Sequence, residues 1–295
     1  MYFNCSPRTA ITCLSVLFLA GCALMKGTES EDGFMLQYRL PEQQAVKYDF
    51  QSSTLQKMEV MGQQMEIDIR SALLFSLNSN GLKEEVNETK VTIDSMFLSV
   101  KSPRGDLSPN MKNVVGKSFA LRLSTTGKEL EMKGTESIDY ELAPGQKQNA
   151  TAVFNVLFPD LAAKRVKPGD TWTSKDTVRQ TTSNGNVRII LESQNTLAGF
   201  EAVGGRECAK IISQYVGPLR SEEAQGPMNF VTEGTMKGVD TVYFAYKDGV
   251  LVSVKTNATL EAVAQGTGPQ NISIPIKREM KNELRLTAAP PAKEN

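Results

Sequence analysis

The stretch from Val46 to Leu77 fixes the fold class. Apolar side chains recur at every second position on both sides of Gly62, as in QKMEVMGQQMEIDI at residues 56–69. Successive side chains of a strand point to opposite faces, so a period of two reads as strands with one buried face. Glycine suits the first position of a two-residue type II′ turn. A turn at Gly62-Gln63 pairs Val60 with Met65, Met58 with Ile67, Gln56 with Ile69, Ser52 with Leu73, Phe50 with Phe75 and Tyr48 with Leu77. All of these then share one face, and Lys57, Glu59, Glu66, Asp68 and Arg70 share the other. Glu59 and Glu66 fall opposite each other, which is unfavourable. Arms of about 15 residues, roughly 50 Å long, must twist and usually curl.

The same grammar continues along the chain. A three-residue loop at Ser79-Asn80-Gly81 sets Val91 opposite Ile69 and Ile93 opposite Ile67. It also sets Leu77 against Lys83 and Phe75 against Glu85, so the apolar face frays there. SFALRLSTTGKELEMKG reads as another hairpin. A turn at Asn184-Gly185 pairs Thr182 with Val187, Gln180 with Ile189, Val178 with Leu191 and Trp172 with Leu197. A loop at Lys247-Asp248-Gly249 pairs Tyr246 with Val250, Phe244 with Val252 and Val242 with Val254. SPRGDLSPNMKNVVGK breaks the pattern with prolines and has room for one or two helical turns. NATAVFNVLFPDLAAKRV is the best helix candidate, with Val153, Val156, Leu157 and Leu161 at helical spacing and Pro159 interrupting it.

VKYDF is echoed by GDTWT, and STTGKELEM by YKDGVLVSV with Gly127 matching Gly249. That repetition predicts a mainly β chain of two tandem lobes of long curled antiparallel hairpins, half-barrel-like, with a short helical connector. The expected divisions are a first lobe at 34–145, the connector at 146–168, a second lobe at 169–287 and a flexible tail at 288–295.

The N-terminus carries a different signal. ITCLSVLFLAGC is a short apolar run preceded by Arg8, the layout of a secretory signal over residues 1–21. Its end, Leu19-Ala20-Gly21-Cys22, resembles the lipobox of bacterial lipoproteins. The other reading is an ordinary secretory signal with a chance cysteine. The resemblance implies cleavage before Cys22, acylation of Cys22 with palmitate-like chains, and a membrane anchor followed by a polar tether over 22–33. Ala23 stands where an aspartate would favour the inner membrane, so the resemblance implies the outer membrane, periplasmic face. Removing 21 of 295 residues leaves 274, with 32 basic and 33 acidic side chains. That balance makes no electrostatic case for nucleic acid.

Several chemistries are excluded by composition. The chain has no histidine, which removes Ser-His-Asp and Cys-His nucleophilic sites and the usual zinc sites. Cys5, Cys13 and Cys22 lie in the leader and lipobox, so Cys208 is left alone, and it reads as a small buried residue. No phosphate-cradling glycine motif occurs. Met58, Met61 and Met65 divide between two strand faces and do not converge on a soft metal. These exclusions point away from an enzyme, a cofactor or a metal.

Two stretches, KYDFQSSTLQKMEVMGQQMEI and VKPGDTWTSKDTV, resemble a family of bacterial lipoproteins and secreted proteins of unknown function. More distantly, the hairpins resemble the half-barrel of the periplasmic lipoprotein carriers LolA and LolB and of mycobacterial lipid-binding lipoproteins. That resemblance implies a concave apolar face able to hold acyl chains. The candidate ligand-facing residues are Tyr48, Phe50, Met58, Val60, Met65, Ile67, Ile69, Leu73, Phe75 and Trp172. Two readings stand: a lipid-anchored protein that binds a hydrophobic ligand, or an envelope scaffold that contacts a partner protein and no small ligand. An apolar cavity larger than about 300 Å³ favours the first, and a filled interior favours the second.

Overall fold

The first strand lies in the middle of the sheet. The computed structural model describes residues 32–182 and 185–289. Strands β1 (Ala45–Val60), β2 (Gln63–Lys83), β3 (Val86–Lys101), β4 (Ser118–Ser124) and β5 (Glu129–Lys133) run outward to one edge. The chain then crosses to the opposite edge through β6 (Asp139–Ala143), β7 (Gln146–Asn149) and a short 3-10 helix at Ala152–Val156. From there β8 (Thr171–Thr182), β9 (Gly185–Val203), β10 (Arg206–Gln225), β11 (Met228–Ala245), β12 (Val250–Thr267) and β13 (Ile272–Ala288) run back until β13 pairs with β1. The two hairpin lobes are therefore wings of one eleven-stranded antiparallel sheet. The expected helical connector is mostly irregular, reduced to that 3-10 helix with Phe154 buried. The lipobox, Cys22 and the tail beyond residue 289 lie outside the described residues.

The turns fall elsewhere than expected, and the faces do not change. The first hairpin turns at Met61-Gly62, both with positive φ (52° and 78°). It pairs Val60 with Gln63, Met58 with Met65, Phe50 with Leu73 and Tyr48 with Phe75. This register differs by two residues from the expected one, so every side chain keeps its face. It also sets Lys57 opposite Glu66 and removes the clash of Glu59 with Glu66. The second turn is at Glu84 and Glu85 (φ 48° and 62°), not at Ser79-Asn80-Gly81. Gly81 instead serves a bulge, where its N–H donates to Ser79 Oγ. Phe75 now faces Ile93 and Leu77 faces Val91, so the apolar face does not fray.

In the second wing, Thr182 pairs with Gly185, Val178 with Ile189 and Trp172 with Asn195, again two residues from expectation. The predicted turn residue Asn184 lies outside the described residues. Val242 pairs with Val254 as expected, but a bulge between Tyr243 and Phe244 sets Phe244 opposite Leu251.

The sheet curls without closing into a barrel, and the crossing segment spans the gap between edges β5 and β8. Leu161 N–H donates to Thr126 O at 2.8 Å, and Trp172 Nε1 donates to Asp160 O at 3.1 Å. Lys128 contacts both Asp160 and Asp176, tying the β4–β5 turn to β8. An N-terminal strap joins the crossing segment: Phe34 bridges Val166, and Leu36, Tyr38 and Leu40 are buried. Asn87, fully buried, accepts from Leu40 N–H and donates to Tyr38 O, which holds the strap to the sheet. Phe154 packs edge-on against Phe75 and Phe119. Strap and crossing segment fill the same end of the curl, and the main core lies there.

Two substitutions test this arrangement. Asparagine followed by glycine suits a type I′ turn, so Met61→Asn should stabilise the protein by about 0.5–1 kcal/mol in urea unfolding; a loss would contradict the register. Gly127 has φ +98°, and a Cβ there would lie 2.4 Å from Pro159 O, whereas Gly134, φ +81°, has open space. Gly127→Ala should cost about 3 kcal/mol and Gly134→Ala about 1 kcal/mol; equal costs would place the crossing segment elsewhere.

Candidate functional site

Strand register sorts the concave face into rows that run across the sheet. One row, Val242, Val254, Leu284, Phe50 and Leu73, belongs to the core. The next is polar across seven strands: Asn195, Ser213, Asp240, Thr256, Asn282, Ser52 and Ser71. Beyond it, toward the hairpin tips, the row through Met236, Leu260, Arg278, Gln56 and Ile67 begins an apolar zone. Ala262, Ile276, Met58 and Met65 follow, and then Ala264, Ile274 and Val60.

That zone encloses a cavity of about 430 Å³. Its walls come from β1 and β2 (Met58, Val60, Met65, Ile67), from β9 to β11 (Val187, Leu219, Phe230) and from β12 and β13 (Leu260, Ala264, Ile274). The strap and crossing segment contribute nothing to it. Small residues stand on its β12 wall, Ala262 and Ala264. Gly234 lets β11 approach Ala262 closely, since a Cβ there would lie 2.4 Å from the Ala262 Cβ. A side chain on Gly238 would collide with the Tyr215 hydroxyl.

The ten sequence candidates divide by position along the strands. Met58, Val60, Met65 and Ile67 line the cavity. Tyr48, Leu73 and Phe75 are buried in the core, and Phe50, Ile69 and Trp172 pack against it half-buried. One apolar face thus serves two purposes, because the crossing segment covers only one end. Met61 is 78% exposed at the turn, pointing away from Met58 and Met65. The sequence reading missed the β12–β13 wall and Arg278. A signal was present: in NISIPIKREM, Ile272, Ile274, Ile276, Arg278 and Met280 share one phase, with a charge inside the apolar series.

The polar groups of the concave face are unevenly satisfied. Asp240 Oδ1 and Asn282 Oδ1, both in the polar row, make no hydrogen bond. Burial pushes the Asp240 carboxyl up to about 6, opposed by a hydrogen bond with Thr256. Arg278 donates through Nε to Gln56 Oε1 and forms no ion pair within 4.0 Å among the described residues. Glu223, also on the cavity wall, accepts from Ser221 Oγ at 2.8 Å. At the seam, burial pushes Glu129 up to about 8, opposed by backbone hydrogen bonds including Phe158 N–H. Burial likewise raises Cys208 to about 11, as a small buried thiol requires. No group of three metal-ligating side chains occurs among the described residues.

A larger depression of about 1260 Å³ lies against the outer side of the second wing. It is wide and open to solvent, bounded by outward side chains that include Val216 and Val239 as well as Lys175, Glu192, Lys237 and Lys281. Lys175 and Glu192 pair with each other there at 2.8 Å, and the smaller, more enclosed inner cavity is the better candidate for a ligand.

No protein-family model matches the chain, and no curated protein matches its sequence. Among solved structures, it is similar to an outer membrane channel from Pseudomonas putida F1, at 10% identity and a TM-score of 0.26, covering 88% of this chain and 100% of that one. It is also similar to Pseudomonas aeruginosa OccK2 (OpdF) in complex with glucuronate, at 7% identity and a TM-score of 0.26, covering 85% and 100%. Neither is one of the LolA and LolB carriers that the sequence resembles. With superposition this low, neither channel's activity is transferred to this chain.

The buried carboxyl in the polar row gives a pH test. Its pKa is about 6 when folded and 3.8 ordinarily, so the folded state holds the extra proton. Stability from this group is present below about pH 4, is lost as pH rises through 6, and stays lower by about 3 kcal/mol above that. Asp240→Asn should remove the loss, gaining about 2–3 kcal/mol at pH 7.5 and little at pH 4 in urea unfolding. An equal effect at both pH values would show that the carboxyl is not desolvated.

Proposed function

We propose that this chain is a lipid-anchored envelope protein whose curled sheet binds a hydrophobic ligand in the tip-end cavity. One observation carries the reading: an apolar cavity of about 430 Å³ occupies the half of the curl that the crossing segment leaves unfilled. Its volume falls in the range of small-molecule sites. A sheet of this length could have been packed throughout, as it is at the other end. The lipobox-like Leu19-Ala20-Gly21-Cys22 supports anchoring through Cys22, on the periplasmic side of the outer membrane. The tether would then keep the cavity within a few tens of ångströms of a bilayer, a source of acyl chains.

The scaffold reading draws on the outer face, where Phe97, Val216 and Val239 are exposed. Val216 and Val239 border the open outer depression and Phe97 a separate one. The more enclosed inner cavity supports the ligand reading. Ala264 points into the cavity, and Gln265 next to it points outward. Ala264→Phe should weaken binding of a fluorescent hydrophobic dye about tenfold or more by occupying the site, while Gln265→Phe leaves it unchanged. Equal dye binding by both variants would move the site out of the cavity.

A further inference from the structure

Thirteen of the twenty-one residues that line the cavity are apolar and eight are polar or charged. Of these eight, Arg278 is the one that ordinary packing does not explain. A guanidinium on the inner face of a central strand is costly unless paired. Arg278 sits in β13 with β1 on one side and β12 on the other, in phase with Ile272, Ile274, Ile276 and Met280. Among the described residues its one hydrogen bond is to a neutral amide oxygen, on Gln56. That leaves most of a five-donor fork without a protein acceptor. Burial pulls its pKa below the ordinary value, and the charge of Glu223 opposes that pull. Glu223 is held by Ser221 and does not reach Arg278 within ion-pair distance. Arg104, exposed, adds a second positive charge to the cavity lining.

We propose that the ligand is an anionic amphiphile, a single acyl chain ending in a carboxylate, and that Arg278 binds its headgroup. This rests on the cavity reading above and specifies the chemical class. Register gives the orientation. Arg278 lies at the inner end of the apolar zone, and Ile276, Ile274 and Ile272 lead from it toward the hairpin tips, six residues or about 20 Å of wall. The head would enter first and the chain would extend toward the tips. A carboxylate accepts two parallel N–H bonds from a guanidinium, satisfying donors that Gln56 leaves over. The neutral Gln56 positions the guanidinium without neutralising it.

The test compares dodecanoate with 1-dodecanol, equal in chain length and different in charge, by titration calorimetry on the chain without its leader. Wild-type protein should bind dodecanoate about tenfold or more tightly than dodecanol. Arg278→Gln should abolish that preference by weakening dodecanoate alone, and Arg278→Lys should keep part of it. Glu223→Gln should tighten dodecanoate by removing a like charge. Equal wild-type affinities for the two probes would overturn the headgroup assignment while leaving the cavity reading intact. A parallel loss of both probes in Arg278→Gln would make the arginine structural and would also overturn it. No binding of either probe by wild-type protein would remove the cavity reading and the headgroup together.

Discussion

Pairing of β1 with β13 is the constraint on which the rest depends. Twelve residue pairs join the first strand of the sheet to the last, from Lys47 with Ala288 to Met58 with Ile276. Without that ladder the two wings would each have an unpaired inner edge, an exposed row of backbone donors and acceptors. With it, the concave faces of both wings become one surface. It also places β13, and with it Arg278, between β1 and β12 at the centre of the curl. Because the first and last strands pair at mid-sheet, the link between the wings runs from edge to edge, which brings the crossing segment over the gap between β5 and β8.

The unequal filling of the curl follows from strand length. Strands of 16 to 21 residues in the central part of the sheet outreach what one strap and one crossing segment can cover. The covered end is packed with aromatic residues, with Tyr38, Tyr48, Phe75, Phe154 and Phe244 all fully buried. The tip end buries its apolar face by curvature, with Ser102 and Arg104 after β3 as the added cover. Glycine on β11 permits close approach to β12, and the alanines at 262 and 264 leave space on the cavity wall. The polar row from Asn195 to Ser71 lies between the two regimes, where dense packing stops and the open zone begins.

Local physics was legible in the sequence, and long-range pairing was not. Period-two alternation assigned Met58, Val60, Met65 and Ile67 to one face and Lys57, Glu59 and Glu66 to the other. That assignment survives because the true register differs by two residues, which preserves parity. The turn itself was misplaced because glycine was given the first position, whereas the chain sets Met61 there in a left-handed conformation. The second turn uses Glu84 and Glu85, which carry no glycine signal at all. The closing pair β1 and β13 leaves no local trace, so two lobes were expected where one sheet exists. Arg278 was hidden because IKREMK reads as a solvated charge run until its phase with Ile272, Ile274 and Ile276 is followed.

Native mass spectrometry of the chain without its leader, purified from cells under mild conditions, tests the central claim most directly. The account predicts a species heavier than the bare polypeptide by one acyl-chain ligand, released into organic solvent and absent from Ala264→Phe. A polypeptide that runs at its bare mass, and stays there after incubation with acyl carboxylates, would contradict it.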